Sequence, residues 1–204
     1  MKFFRVPGYI SMFFRHRVWR VANDSKTVCL TFDDGPVPEA TPWILELLKE
    51  KGMKATFFCV GDNVRKHPEI FKQILSEGHA VGNHTMRHEK GIVTEESSYL
   101  DSVDEASKYI ESSLFRPPYG RMTGKQSRVL RKKFRIVMWT WLSYDYDQNV
   151  PTQRIVQKAK KEIRSGDIVV FHDNMKSFDR LKEILPEVLN DLEKKGLKAL
   201  PISL

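Results

Sequence analysis

From about residue 25 onward, short apolar runs alternate with longer amphipathic ones. Runs rich in β-branched and aromatic side chains at 27–32, 54–60, 79–82, 115–116, 136–141, 167–171 and 198–200 predict seven strands. Between them, apolar residues at helical spacing predict helices over 38–51, 62–77, 94–112, 127–133, 151–164 and 178–195. In the first helix Trp43, Ile44, Leu47 and Leu48 share a face, and Gly52 closes it. This strand and helix order predicts a single α/β domain with a parallel sheet, either open or closed into a barrel.

The polar residues distinguish the two architectures. Asp33, Asp34, His84, Arg116, Asp145 and His172 each fall at or just beyond the C-terminal end of a predicted strand. In a barrel these ends form one ring, so all six can face one pocket. An open sheet gathers fewer of them, near the point where the strand order reverses.

Ahead of this series, residues 1–24 form a basic, aromatic arm, and 25–204 the domain proper. The uncharged run 6–14 contains Pro7 and Gly8 and is followed by Arg15, Arg17 and Arg20, unlike a clear signal peptide. It is also too short to span a bilayer. The arm is expected to pack on the domain or to touch a membrane surface or an anionic wall polymer. That leaves the location open between cytoplasm and cell envelope.

At 204 residues the chain can bury a substantial core without disulfides. Its two cysteines, Cys29 and Cys59, lie in apolar runs and read as buried thiols. The formal charge is +8, from 34 basic and 26 acidic residues, which favours polyanionic partners. Much of that charge sits on helical stretches such as 158–161, where solvated faces are the ordinary reading, so nucleic acid is not an expected partner. A monomer is expected.

Candidate chemistry begins at Asp33-Asp34-Gly35-Pro36, where a buried strand ends in two adjacent carboxylates and a turn. The turn lets both acids converge, one on a cation and one free to move a proton, although a solvated, helix-capping turn remains an alternative. His84 and His88 are four apart, on one face if the segment is helical. With Asp34 they make a two-histidine, one-carboxylate set that leaves positions for water and substrate. Arg116-Pro117-Pro118-Tyr119 is a rigid turn whose arginine can orient a carboxylate, and His172 beside an aspartate base becomes a general acid.

Thr31-Phe32-Asp33-Asp34-Gly35-Pro36, His84-Thr85-x-x-His88, Arg116-Pro-Pro-Tyr119, Trp139 followed by Asp145, and Val170-Phe171-His172 resemble, in order, the five motifs of the polysaccharide deacetylase family. This is the NodB-homology domain of carbohydrate esterase family 4. The resemblance runs from Lys26 to the C-terminus. It implies a distorted (β/α) barrel of about seven parallel strands that removes N-acetyl, less commonly O-acetyl, groups from a glycan such as peptidoglycan or a chitin-like polymer. The divalent metal it implies is most often zinc, with cobalt, manganese or nickel as alternatives.

By position, the resemblance makes Asp33 the general base and Asp34, His84 and His88 the metal ligands. Arg116 would hold Asp33, the Tyr119 N–H would stabilise the oxyanion, and His172, paired with Asp145, would protonate the leaving amine. Trp141 and Val170 would line the acetate pocket, with Tyr119 and Tyr146 beside the substrate. Two positions depart from the pattern. Tyr146 follows Asp145 where the family often has Trp, and Val170 stands where it often has Leu, so substrate fit is affected more than chemistry. Two other readings stay open: a deacylase for a lipid-linked sugar or small cyclic amide, and a non-catalytic polyanion-binding protein.

Overall fold

The computed structural model describes residues 2–21 and 26–203. The expected boundary between arm and domain, at 24/25, lies outside the described residues. β1 (Thr27–Asp33) is buried along its whole length and holds the centre of the sheet. It pairs in parallel with β2 (Thr56–Cys59) on one side, with β7 (Ile168–His172) on the other, and at its start with β8 (Lys198–Ala199). The remaining strands are β3 (Ala80–Asn83), β4 (Leu114–Phe115), β5 (Arg135–Ile136) and β6 (Trp141–Leu142). Their order is β5-β4-β3-β2-β1-β7-β6, with every named pair parallel.

β5 and β6 are the two opposite edges of this sheet, yet only residues 137–140 separate them in the chain. Such a short connection requires the sheet to curl until its edges face each other, which makes the distorted barrel that the family resemblance implies. It also corrects one expectation. The single strand over 136–141 is two strands, because its first half pairs with β4 and its second with β7. Between the halves, the carbonyls of Val137 and Met138 accept hydrogen bonds from the Arg116 guanidinium instead of from a neighbouring strand.

The N-terminal arm closes the rest of this seam. Val18 pairs with Val137, and Arg5 pairs with Trp141. Val6 N–H donates to Thr140 O at 2.9 Å, and Met138 N–H donates to Val18 O at 2.7 Å. α1 (Gly8–Phe13) lies between these two attachments.

Along β1 and β7 the side chains alternate between two faces. Phe32 and Phe171 point outward, and Phe32 stacks on both Phe57 and Phe171 beneath the helices, which include α2 (Ala40–Glu50) and α8 (Met175–Lys194). Cys29 and Ile168 point into the barrel with Phe58 and Val137. The same alternation carries Asp33, Val170 and His172 onto the inner face at the C-terminal end. Both cysteines are free and buried.

Helix boundaries follow local chemistry. The helix expected over 62–77 is two, α3 (Gly61–Lys66) and α4 (Pro68–Ser76), because Pro68 lacks an N–H and clashes with a preceding turn. α5 (Glu96–Ala106) is capped by the Glu95 side chain, and α6 (Gly124–Leu130) by a capping box between Thr123 and Gln126. α7 (Thr152–Glu162) follows Pro151. α8 starts earlier than expected because the Asn174 side chain caps it.

Candidate active site

Three groups of polar side chains converge where the inner face meets the C-terminal ends of the strands. Asp33, Asp34, His84, His88 and His172 line one cavity of about 310 Å³, with Arg116 and Asp145 fully buried behind them.

The first group is built on Asp33, the last residue of β1. Its Oδ1 accepts a hydrogen bond from Arg116 Nη1 at 2.6 Å, and Arg116 is completely buried. The guanidinium also donates to Thr31 Oγ1 and lies 4.0 Å from the Phe58 ring. Burial lowers the arginine's pKa, and the Asp33 charge opposes that shift. A buried cation with this many acceptors is held in one orientation, and so is the carboxylate it carries.

The second group starts one residue later. Asp34 adopts φ of 89°, a left-handed conformation that swings its side chain around beside that of Asp33. Its Oδ2 accepts from Asn174 Nδ2 at 2.6 Å, and its main-chain oxygen from Asn63 Nδ2 at 2.7 Å. The other oxygen, Oδ1, lies 3.1 Å from His88 Nε2 and 3.6 Å from His84 Nε2. His84 Nδ1 is 2.7 Å from the Arg116 carbonyl, which can only accept, so Nδ1 carries the proton and Nε2 is left as a lone pair.

The histidines do not converge by helical spacing. Residues 84–90 are a loop, and Thr85 and His88 both have positive φ, which turns the two rings toward Asp34.

Asp34 Oδ1 is buried and has no donor among the described residues. One ligand atom from each of Asp34, His84 and His88 lies within 4.8 Å of the others. Two imidazole nitrogens gathered around a buried, undonated carboxylate oxygen fit a divalent cation.

The third group is Asp145 and His172. Both Asp145 oxygens are engaged, Oδ1 with His172 Nδ1 at 2.7 Å and Oδ2 with the His172 N–H at 2.8 Å. Burial pulls the His172 pKa down, but Asp145, then Asp34 and Asp33, raise it to about 9. The ring is therefore charged at neutral pH, with Nε2 free to donate.

Residues 20–135 match the family model described as polysaccharide deacetylase. The chain belongs to the polysaccharide deacetylase family. A peptidoglycan-N-acetylglucosamine deacetylase of Bacillus cereus is 33% identical over 192 residues, covering 91% of this chain and 90% of the relative. A chitooligosaccharide deacetylase of a Bradyrhizobium species is 34% identical over 173 residues, covering 81% and 78%. A crystal structure of the Bc1960 peptidoglycan N-acetylglucosamine deacetylase, bound to an N-oxidanyl-benzamide, superposes with a TM-score of 0.82 at 28% identity, covering 97% and 95%.

The matched segment of this polysaccharide deacetylase ends before Asp145 and His172, so that pair is placed by geometry. Val170 and Tyr146 line the cavity, and Tyr146 meets the His172 ring edge-on at 4.9 Å. Tyr119 has φ of 59°, which turns its ring onto His88 at 4.7 Å. In its turn Gly120 and Arg121 donate to Pro117 O and Pro118 O, and the Tyr119 N–H stands outside that pattern.

Trp141 is a correction. It is in register with outward-facing Val169 and packs between Phe4 and Phe171, while Leu142, in register with Val170, reaches the cavity in its place. Asn174 and Asp173, which no motif in the sequence marks, also support the site. Asp173 is buried and accepts from Gly35 N–H at 2.9 Å and Thr41 Oγ1 at 2.7 Å. Asn174 carried a signal in its position as a helix cap two residues after His172.

Proposed function

We propose that the protein is a metal-dependent hydrolase that removes N-acetyl groups from a glycan of the peptidoglycan or chitin-oligosaccharide type. The observation that supports this most directly is the convergence of the Asp33–Arg116, Asp34–His84–His88 and Asp145–His172 groups on one cavity.

Asp34, His84 and His88 would hold the cation, and zinc suits two imidazole nitrogens and one carboxylate oxygen, with cobalt, manganese and nickel competing for the same donors. When bound, it would acidify water and polarise the acetyl carbonyl.

Asp33 is the base that takes the proton from the attacking water, and Arg116 fixes its carboxylate toward the cavity. The Tyr119 N–H donates to the oxyanion as the carbonyl carbon becomes tetrahedral. His172, charged and held by Asp145, delivers a proton from Nε2 to the departing sugar nitrogen. Val170 and Leu142 form the apolar wall against the acetyl methyl, and Tyr119 and Tyr146 flank the sugar.

The test is acetate release by the metal-loaded protein from chitin oligomers, peptidoglycan and acetylxylan. Release from an N-acetylated glycan that is abolished by Asp33→Asn supports the reading. A metal-loaded protein that releases no acetate from any of them refutes it.

A further inference from the structure

α1 presents to solvent the face that an ordinary surface helix buries. Tyr9, Met12 and Phe13 are spaced i, i+3, i+4, so they share one side, and they are 63%, 62% and 80% exposed. No residue of this helix is buried, and Phe14, the next residue, is 39% exposed. The flanking segments of the arm, at Arg5–Val6 and Val18, are by contrast hydrogen-bonded into the barrel seam. The apolar side chains are therefore held outward by a fixed frame.

Cations lie beside this apolar tip. Arg15 follows it directly, and His16 hydrogen-bonds Ser127 on α6, within reach of the Arg131 charge. Arg15 and Arg131 are exposed and form no ion pair among the described residues. A second copy would bring two such cationic bands together, which disfavours self-association. An anionic surface with an apolar interior complements both parts at once.

We propose that α1 and its basic surround dock the protein on an anionic lipid bilayer, with Tyr9, Met12 and Phe13 entering the headgroup boundary and the arginines meeting lipid phosphates. No described helix is long and apolar enough to cross a membrane, so the contact lies in the interface plane. Docking of this kind is independent of the acetyl chemistry and would hold the cavity near membrane-proximal or lipid-linked glycans.

The test is co-sedimentation of the full chain with phosphatidylcholine vesicles, with and without phosphatidylglycerol. Binding is expected only when phosphatidylglycerol is present and is expected to weaken with salt. A Tyr9→Ser, Met12→Ser, Phe13→Ser variant should lose on the order of tenfold in vesicle affinity, and Arg15→Gln with Arg131→Gln a comparable factor. Unchanged melting temperature and unchanged acetate release from a soluble substrate would show that both variants fold. Three results would overturn the proposal: no binding to anionic vesicles, full binding by the serine variant with loss only in the glutamine variant (a soluble-polyanion surface), or a concentration-dependent dimer abolished by the serine variant.

Discussion

The Arg116 carbonyl accepts a hydrogen bond from His84 Nδ1 at 2.7 Å, so the residue that fixes the base also fixes a candidate metal ligand. Its guanidinium and its main chain thus set the spacing between two different chemistries.

Replacing Arg116 therefore tests more than an ion pair. Arg116→Met leaves the Asp33 carboxylate buried without its counter-charge, which costs about 3–5 kcal/mol and should lower the melting temperature on the order of 10 °C. Adding Asp33→Asn removes the stranded charge, so the double variant is expected to melt above Arg116→Met alone. Thermal unfolding of the two variants and the parent decides this.

The Asp145–His172 pair predicts a pH profile. Because His172 is raised to about 9, the protonated acid persists through neutrality, and activity should fall as pH rises through about 9. Asp145→Asn removes the largest raising influence. The alkaline limb should then move to lower pH, with kcat reduced by roughly 10²–10⁴-fold. The same shift is linked to stability. In the metal-free protein the contribution of His172 is complete below about 6.5, the unfolded value, and is lost as pH rises to about 9. Denaturant midpoints measured across this window should decline, and the decline should shrink in Asp145→Asn.

Asn174 holds the second oxygen of Asp34, leaving the first for a cation. Asn174→Ala should weaken zinc affinity roughly 10–100-fold, as loss of a partner that orients a ligand does, and, because the same side chain caps α8, cost about 1 kcal/mol of stability. Titration calorimetry with zinc reads this without any activity assay. His88→Ala, which removes a donor outright, should be weaker still.

Gly35 shows how tightly the turn after Asp34 is packed. A Cβ placed there would lie 1.9 Å from Asp173 Oδ2, so Gly35→Ala should lose both stability and activity. Asp173→Ala leaves the Gly35 N–H and the Thr41 hydroxyl without an acceptor, at about 1–3 kcal/mol for each buried group left unsatisfied. Because the two changes relieve one another sterically, the double variant is expected to be less destabilised than the sum, which thermal unfolding checks.

Much of this was legible in the residues. The apolar runs located the strands, and the acids and histidines at their ends located the cavity, because side chains at those ends share one rim. What escaped detection depends on three-dimensional register. Trp141 and Leu142 differ by one position, and only pairing with β7 decides which faces inward. His84 and His88 meet through two left-handed residues in a loop, a conformation that helical spacing does not encode. The split of the strand over 136–141 depends on a guanidinium arriving from Arg116, which no local pattern reveals.

The attachment of the arm to both lips of the seam has a consequence for how the protein can be cut. A chain begun at Lys26 would keep all the candidate catalytic residues yet leave β5 and β6 with open hydrogen-bonding edges and expose Trp141. Open edges invite pairing with other chains. Such a truncation is expected to scatter light and aggregate on heating while its site residues remain complete, making the arm in effect a built-in guard against intermolecular strand pairing.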